Sequence, residues 1–178
     1  MTRLARPEDM PAVLALRHEV FVLGQGVPAD LERDELDDCA DHAVAERDGR
    51  VVGTGRLLPD GTIGRMAVDP AVRGQGIGAA VLARLEDRAR ERGLPSVELH
   101  AQLHARAFYD KAGYASYGEV YVEAGIDHVS MRKHLGRQQP GTARVRRVPV
   151  GPAWKTARTS TARAAFPSDR RAARTGVP

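Results

Sequence analysis

The stretch that decides the fold of this protein is Arg73-Gly74-Gln75-Gly76-Ile77-Gly78-Ala79. Its three glycines stand at every second position, and they precede a long amphipathic pattern with no further glycine before Gly93. Glycine adopts positive φ readily and has no Cβ, while the start of a helix offers unpaired N–H groups and the positive end of a dipole. The stretch therefore predicts an anion-binding loop, and phosphate is the expected ligand.

The loop alone does not decide which phosphate it binds. Read as Gly74-x-Gly76-x-x-Ala79, it fits the dinucleotide-binding fingerprint, and Glu98 follows about twenty residues later, where a ribose-binding acid is expected. Read as Arg73-x-x-Gly76-x-Gly78, it resembles the diphosphate loop of the GCN5-related N-acetyltransferases (GNAT), which hold acetyl-CoA. A plain turn that joins a strand to a helix is the third interpretation. A Walker A loop is excluded because no Gly-Lys-Ser/Thr follows.

Length and composition bound the class of protein. With 178 residues the chain has room for one ordinary domain and little more. No apolar run approaches the roughly 20 residues that span a bilayer, and the N-terminus lacks the apolar core of a signal peptide, so we expect a cytoplasmic protein. Cys39 is the only cysteine, which excludes an intrachain disulfide and a zinc site of four cysteines. We expect no metal.

The charge divides the chain into two parts. Residues 1–136 carry 17 Lys and Arg against 22 Asp and Glu, whereas residues 137–178 carry 10 against 1. The second part has only five Val, Leu, Ile or Phe residues and no regular hydrophobic period, so it cannot bury enough apolar surface to fold. We predict a folded domain over 1–136 and a disordered, basic Arg/Ala/Pro-rich tail over 137–178. The tail either contacts nucleic acid or another polyanion, or is a solvated extension without a partner.

Hydrophobic periodicity and turn residues predict the order of the elements. We expect a helix from Pro7 to about Leu23, and then a loop from Gly24 to Asp41 with at most one short helical turn. The predicted later elements are strands over 42–46, 51–58 and 62–68, a helix from the glycine loop to Gly93, a strand over 95–101, a helix over 104–112, and strands over 114–122 and 128–133. A dinucleotide fold needs its loop in the first βα turn and several βα units afterwards, so this order argues against it.

A second motif agrees with the acetyltransferase interpretation. After the strand that follows the glycine helix, GNAT proteins carry a segment close to Asn-x-x-Ala-x-x-Leu/Phe-Tyr-x-x-x-Gly-Phe/Tyr. The corresponding segment here runs from Gln102 through Ala105, Phe108 and Tyr109 to Gly113-Tyr114. It departs from the pattern only in Gln102, which stands where asparagine is usual. The two motifs agree in order and spacing, so the chain resembles the GNAT superfamily.

Within that superfamily the chain resembles the ElaA-like group over residues 10–135. The residues that carry this resemblance are Arg17-His18-Glu19-Val20-Phe21-Val22, Gln25, Val27-Pro28, Asp34, His42, Gly64-Arg65-Met66-Ala67-Val68, Tyr121, Gly125-Ile126 and His128. The group usually has an acid before Gln25, whereas this chain has Gly24, and this departure bears on acceptor specificity.

The resemblance implies a fold and a set of site residues. The fold is α/β, with a mixed central sheet, antiparallel N-terminal strands and helices on both faces. The implied acyl-CoA-binding residues are Met66, Ala67, Val68, Arg73, Gly74, Gln75, Gly76, Ile77, Gly78, Ala79, Gln102 and Tyr109. Tyr109 is also the implied catalytic general acid, because a phenol stays protonated at neutral pH and can return a proton to a departing thiolate.

The function that the resemblance implies is transfer of an acetyl group from acetyl-CoA to a primary amine by direct attack in a ternary complex. The amine belongs to a small molecule or a protein, and the enzyme is a monomer or a homodimer. The alternative is a catalytically degenerate module that binds acyl-CoA and is recruited to polyanions by its tail.

The general base and the acceptor stay open at this point. Glu98, His100, His128 or a chain of waters could take the proton of the amine. An acidic run could attract an ammonium group, or form an ordinary solvated loop; it consists of Asp30, Glu32, Asp34, Glu35, Asp37, Asp38 and Asp41. Arg56 and Arg65, which alternate with apolar residues, could instead bind a carboxylate or phosphate of the acceptor.

Overall fold

A computed structural model describes residues 1–123 and 125–136. The α-helices are α1 (Met10–Arg17), α2 (Ala29–Glu32), α3 (Ile77–Glu91) and α4 (Arg106–Lys111). The strands are β1 (Thr2–Leu4), β2 (Asp41–Arg47), β3 (Arg50–Leu57), β4 (Thr62–Val68), β5 (Ser96–Gln102), β6 (Ala115–Glu123) and β7 (Ile126–His134). The predicted basic tail lies outside the described residues.

The strands form one sheet of seven in the order β1-β2-β3-β4-β5-β7-β6. Strands β4 and β5 are parallel, and every other neighbouring pair is antiparallel. The predicted mixed sheet with an antiparallel N-terminal part is therefore confirmed. Strand β1 was not predicted, because its three residues are too few for a hydrophobic period to show; it pairs with β2, with Thr2 opposite Ala45.

Helices cover both faces of the sheet, as predicted. The predicted stripe of α3, with Val81, Leu82, Leu85 and Ala89 fully or almost fully buried, packs in the larger core together with strand residues such as Leu99. A smaller core cluster of Leu16, Val20 and Ala67 joins α1 and the π-helical segment His18–Leu23 to the opposite face. The sheet is thus buried on both sides where it borders the glycine loop.

Helix α3 ends where the sequence predicts. Gly93 has φ +70°, and the N–H of Leu94 donates to the carbonyl of Ala89 at 3.0 Å. Only glycine adopts this left-handed conformation without strain, so the helix stops there and the chain turns into β5.

Strands β4 and β5 separate after a short common stretch. They pair only through Thr62 with Glu98 and Ile63 with Leu99, although β4 continues to Val68 and β5 to Gln102. Strand β4 also carries a bulge against β3 around Arg65, whose φ is +50°. A bulge bends and twists its strand, and here it lies where the two strands diverge. The separation opens a cleft in the middle of the sheet.

The segment before β2 contains more regular structure than expected. We predicted at most one short helical turn between Gly24 and Asp41, but the structure has two, α2 and a 3₁₀ turn over Glu35–Cys39. Both depend on contacts with α1, β3 and β4 that are described below, and such contacts leave no local signal in the sequence.

No helix within the described ranges is both long and apolar enough to cross a membrane. The cytoplasmic location, the domain boundary at residue 136 and the choice between monomer and homodimer stay predictions.

Candidate active site

The cleft between the diverging strands has a volume of about 720 Å³. The glycine loop and the start of α3 line one part of it, and β4 and β5 supply the floor. Helix α4 contributes Phe108 and Tyr109, the segment after α1 contributes Phe21, Gln25 and Val27, and the hairpin of β6 and β7 contributes Glu123 and His128 as further lining residues. Both sequence motifs therefore meet at one cleft.

The glycine loop presents a row of free backbone N–H groups. Gly74 has φ +76° and Gly76 has φ +80°, and Gly76 is the N-cap of α3. The first helical hydrogen bond runs from the Ala80 N–H to the Gly76 carbonyl. Within the part of the chain that the structure describes, the six preceding N–H groups, from residues 74 to 79, have no intramolecular acceptor. Consecutive unpaired amides at a helix N-terminus form an anion site.

The polar side chains of the loop are held by neighbouring protein groups. Arg73 Nε donates to the Val68 carbonyl at 3.1 Å, and Gln75 accepts a hydrogen bond from Arg47 at 2.5 Å. Gln75 is also absent from the lining of the large cleft. The anion site therefore consists of main-chain groups, as the glycine pattern predicts.

The three predicted residues of β4 do not share one orientation. Met66 and Val68 line the cleft, whereas Ala67 is 1% exposed and packs in the cluster with Leu16 and Val20. This alternation follows from the two-residue period of a strand. Ala67 is available to a ligand in the cleft only through its backbone.

Tyr109 lies on α4, where it packs edge-on between Phe108 and Tyr114 with ring centroids 4.9 and 5.9 Å away. The residue is 9% exposed and lines the cleft, and its hydroxyl is not sealed from solvent. Burial raises its pKa to about 12. The phenol is therefore fully protonated at neutral pH and is a proton donor there.

Gln102 ends β5 and bridges the cleft. Its Nε2 donates to Oε1 of Gln25 at 3.0 Å, although the two residues are 77 positions apart in the chain. Sequence reasoning predicted Gln102 as a ligand of the pantetheine arm but did not predict this bridge. The bond joins β5 to the segment after α1.

The three side chains considered as general bases have different surroundings. Glu98 accepts hydrogen bonds from Tyr117 at 2.7 Å and Arg132 at 2.6 Å, and it does not line the cleft. The hydrogen bonds from Tyr117 and Arg132 lower the pKa of Glu98, and they outweigh burial, which raises it. His100 and His128 both line the cleft, one on β5 and the other on β7.

Three carboxylates of the predicted acidic run, those of Glu32, Asp34 and Asp37, are paired with arginines in a largely buried ion network. Arg17 is 1% exposed and donates to Glu32 at 2.5 Å and to Asp37 at 2.7 Å. Arg56 donates to Asp37 at 2.8 Å and to Asp34 at 2.6 Å. The prediction of an ammonium-attracting rim is therefore wrong for these three carboxylates, because the charge of each is paired with a guanidinium, including that of Glu32, which lines the cleft.

The prediction that Arg56 could bind an acidic acceptor is wrong for the same reason, whereas for Arg65, which lines the cleft, it stays a prediction. Arg56 is occupied by two carboxylates of the network. Arg65 donates to the carbonyls of Leu31 and Glu32 at 3.0 and 2.9 Å and to Asp34 at 3.2 Å. Asp34 and Asp37 of the acidic run thus bind Arg56, Asp34 also binds Arg65, and the bonds from Arg65 to the carbonyls of Leu31 and Glu32 hold α2 against the bulge of β4.

Arg17 is the most important network residue that sequence reasoning missed. It stands three positions from Leu14 and Val20 and four positions from Val13, so it occupies the apolar face of the first helix. A cation inside an apolar stripe was the available signal, because such a residue is buried only with an anionic partner.

The network makes the free energy of unfolding depend on pH in the acid range. Burial opposes ionisation of Asp37, but hydrogen bonds from Arg17 and Arg56 outweigh it and lower its pKa to about 2. Burial also lowers the pKa of His42, whose Nε2 donates to the Asp37 carbonyl at 3.1 Å. Both groups bind protons more readily in the unfolded chain, so acid favours unfolding.

We therefore expect the free energy of unfolding to fall in two stages as the pH is lowered. The first begins near pH 6.5, the ordinary pKa of histidine, and the second runs from about pH 4 towards pH 2 as Asp37 is protonated. Urea unfolding followed by circular dichroism at intervals of pH measures both. His42→Gln is expected to abolish the first stage and leave the second; an unchanged first stage in this variant would contradict the assignment.

No group of three or more His, Cys, Asp or Glu side chains within 1–123 and 125–136 is arranged to hold a metal ion.

Comparison with known proteins agrees with the fold. Residues 7–135 match the acetyltransferase (GNAT) domain family. The Bacillus subtilis protein named as the uncharacterized N-acetyltransferase YjcF is 36% identical over 130 residues, which is 71% of this chain and 93% of the relative. Protein ElaA of Escherichia coli is 32% identical over 132 residues, covering 70% and 86% of the two chains.

Solved structures show the same relationship. The acyl-CoA N-acyltransferase from Pseudomonas aeruginosa aligns with a TM-score of 0.66 and 35% identity, over 75% of this chain and 97% of that one. The structure of E. coli ElaA aligns with a TM-score of 0.67 and 27% identity, over 75% and 99%. The chain therefore belongs to the GNAT acetyltransferase family. Within it, the chain is a member of the ElaA-like group, and this membership supports N-acyltransferase activity in general.

Proposed function

We propose that this protein is an N-acetyltransferase that moves an acetyl group from acetyl-CoA to a primary amine by direct attack in a ternary complex. The observation that carries the proposal is the row of six N–H groups, from residue 74 to residue 79, that have no partner among the described residues and lie at a cleft opened by the diverging strands. The site offers an anion cradle followed by a long, partly apolar groove. An acyl-CoA has the same order of parts, with a diphosphate followed by a pantetheine arm.

The cosubstrate would be held mainly by the backbone. The amides of residues 74–79 would bind the diphosphate, and the dipole of α3 would add about 0.3 to 1 kcal/mol. Met66 and Val68 would border the pantetheine arm in the cleft, and Ala67 would act through its backbone. Gln102 would bond the arm with the amide oxygen that its bridge to Gln25 leaves free.

The protein side chains then supply the proton chemistry. Acetyl-CoA provides a thioester that an amine can attack. Tyr109 is protonated at neutral pH, because burial raises its pKa to about 12, and it lines the cleft with a hydroxyl that is not sealed from solvent. We assign it the role of general acid, donating a proton to the thiolate as the carbon–sulfur bond breaks.

The acceptor side of the cleft has little net charge to select a ligand. Glu32 and Arg65 line it, but both are occupied within the ion network. Phe21, Val27 and Leu31 give this side an apolar surface. We therefore favour an amine attached to an apolar group, on a small molecule or at an accessible protein position, over a polyamine.

Two measurements test the proposal. Calorimetry is expected to show acetyl-CoA binding to the full chain, and thiol release over a panel of amines is expected to show turnover. Binding without turnover across the panel would support the alternative, a degenerate acyl-CoA-binding module. Absence of binding would exclude both.

A glycine substitution tests the anion cradle itself. Gly76→Ala is expected to weaken acetyl-CoA binding at least about tenfold. Alanine is strained at this positive φ, so the loop shifts and loses one or more hydrogen bonds to the diphosphate. Each such charge-assisted hydrogen bond contributes about 1.5 to 3 kcal/mol. Gly118→Ala is the matched control. Both glycines have positive φ, and an added Cβ at either would have no described atom within 4 Å, but Gly118 lies in β6 away from the loop. Equal binding by the two variants would refute the cradle.

A further inference from the structure

His128 occupies a central position at the cleft. It lies on β7, where it pairs with Gln102 of β5 on one side and with Tyr121 of β6 on the other. The Tyr121 ring stacks on its imidazole with centroids 6.0 Å apart and an angle of 24°. The residue is 9% exposed, so the protein holds its ring on several sides while one edge meets the cleft.

The hydrogen bonds of His128 define its tautomer. Its Nδ1 lies 2.8 Å from the carbonyl oxygen of Ile126. A carbonyl oxygen only accepts, so Nδ1 must carry the proton and donate it. In the neutral ring Nε2 then carries a lone pair. Within the described residues Nε2 has no hydrogen-bond partner, and it is not sealed from solvent.

The contacts of the two rival side chains do not define a free base in the same way. Glu98 is engaged by Tyr117 and Arg132 and lies outside the cleft lining. In His100, Nδ1 lies 2.5 Å from the Tyr121 hydroxyl and 3.4 Å from the Ser130 hydroxyl. A hydroxyl can donate to Nδ1 or accept from it, so these contacts do not fix the His100 tautomer as the Ile126 carbonyl fixes that of His128.

We propose that His128 is the general base of the reaction and that its Nε2 takes a proton from the ammonium form of the acceptor. This inference rests on the proposed function and adds the residue that completes it. Tyr121 is stacked on the ring, His100 lies beyond Tyr121, and exposed Asp127 is next along β7. The other titratable or charged residues of the cleft lining are Glu32, Arg65, Arg73, His104, Tyr109 and Glu123.

The proton balance is complete with these groups. Nε2 of His128 takes one proton from the acceptor ammonium and leaves a neutral amine, whose lone pair forms the bond to the acetyl carbon. The carbon–sulfur bond breaks, and its electron pair leaves with sulfur. Tyr109 donates its proton to sulfur and regains one from the nitrogen as the amide forms. His128 later releases its proton to solvent.

The test compares two amines of different basicity in the full-length protein. His128→Asn keeps a donor for the Ile126 carbonyl but has no base. With an alkyl amine that is an ammonium ion at the assay pH, kcat/KM is expected to fall about 100-fold or more. With a fluorinated analogue of the same amine that is neutral at that pH, the fall is expected to be much smaller. Acetyl-CoA affinity, measured by calorimetry, is expected to stay at the wild-type value.

A matched control uses the same substitution on the same strand. His134→Asn replaces an exposed histidine at the far end of β7, opposite Ser96, and is expected to leave both amines unaffected. An equal loss with both amines in His128→Asn would show a structural role and overturn the proposal. A large loss confined to His100→Asn would assign the base to His100.

A measurement without turnover separates this inference from the proposed function. ¹⁵N NMR of the protein without ligands is expected to show the neutral His128 ring with its proton on Nδ1. A proton on Nε2 would overturn the inference even if the enzyme is active. The expected tautomer together with acetyl-CoA binding but no thiol release would overturn both the proposed function and the base role.

Discussion

Replacing Tyr109 by phenylalanine is expected to lower kcat by about 100-fold to 10,000-fold while leaving acetyl-CoA affinity unchanged. The substitution removes the hydroxyl, which acts only as the thiolate departs. It therefore lowers the stabilisation of the transition state and leaves the binding of acetyl-CoA unchanged. Steady-state thiol release with the best amine of the panel, together with calorimetry, measures the two quantities. The wild-type enzyme is also expected to show no alkaline loss of activity from Tyr109 below about pH 11, since burial raises its pKa to about 12.

Tyr114→Phe is the matched control for this variant. Its ring lies 5.9 Å from that of Tyr109 and is also buried, but it does not line the cleft. It is expected to retain full activity. If Tyr109→Phe also retains full activity, the general acid is another group and Tyr109 is a packing residue.

Replacing Arg17 by methionine is expected to destabilise the fold by about 3 to 5 kcal/mol, because it leaves buried carboxylates without their cation. Glu32 is 5% exposed and Arg17 is the one guanidinium that its carboxylate contacts among the described residues. Asp37 keeps Arg56 but loses two hydrogen bonds. Domain stabilities of about 5 to 15 kcal/mol make this a large fraction of the total, and urea unfolding measures it.

Arg84→Met provides the comparison, because it breaks a solvent-exposed pair with Glu91 at 3.0 Å and is expected to cost no more than about 1 kcal/mol. A second comparison is Arg17→Met combined with Glu32→Leu, which is expected to recover part of the loss since the unpaired charge is removed. Equal stability of Arg17→Met and Arg84→Met would show that the network contributes little beyond a surface ion pair.

The sequence by itself determined the parts of this protein that depend on local chemistry. The glycines at positions 74, 76 and 78 predicted an anion loop because backbone freedom is a property of the residue, and the structure shows the unpaired amides there. The stripe of α3 and its stop at Gly93 were predicted because helix periodicity and capping are also local. The segment around Tyr109 came from resemblance, and the structure places it in the same cleft.

Only the tertiary structure decided how the charged residues are used. The sequence offered an acidic loop and two arginines as rival acceptor sites, but Arg56 binds both Asp34 and Asp37, which lie about twenty positions before it in the chain. Likewise, sequence gave no reason to choose among Glu98, His100 and His128. The choice depends on which atom of each side chain is already bonded, and partners such as Tyr117, Tyr121 and the Ile126 carbonyl are fixed by the register of β6 and β7. Pairing between distant segments is a property of the folded chain, so periodicity and motifs could not reveal it.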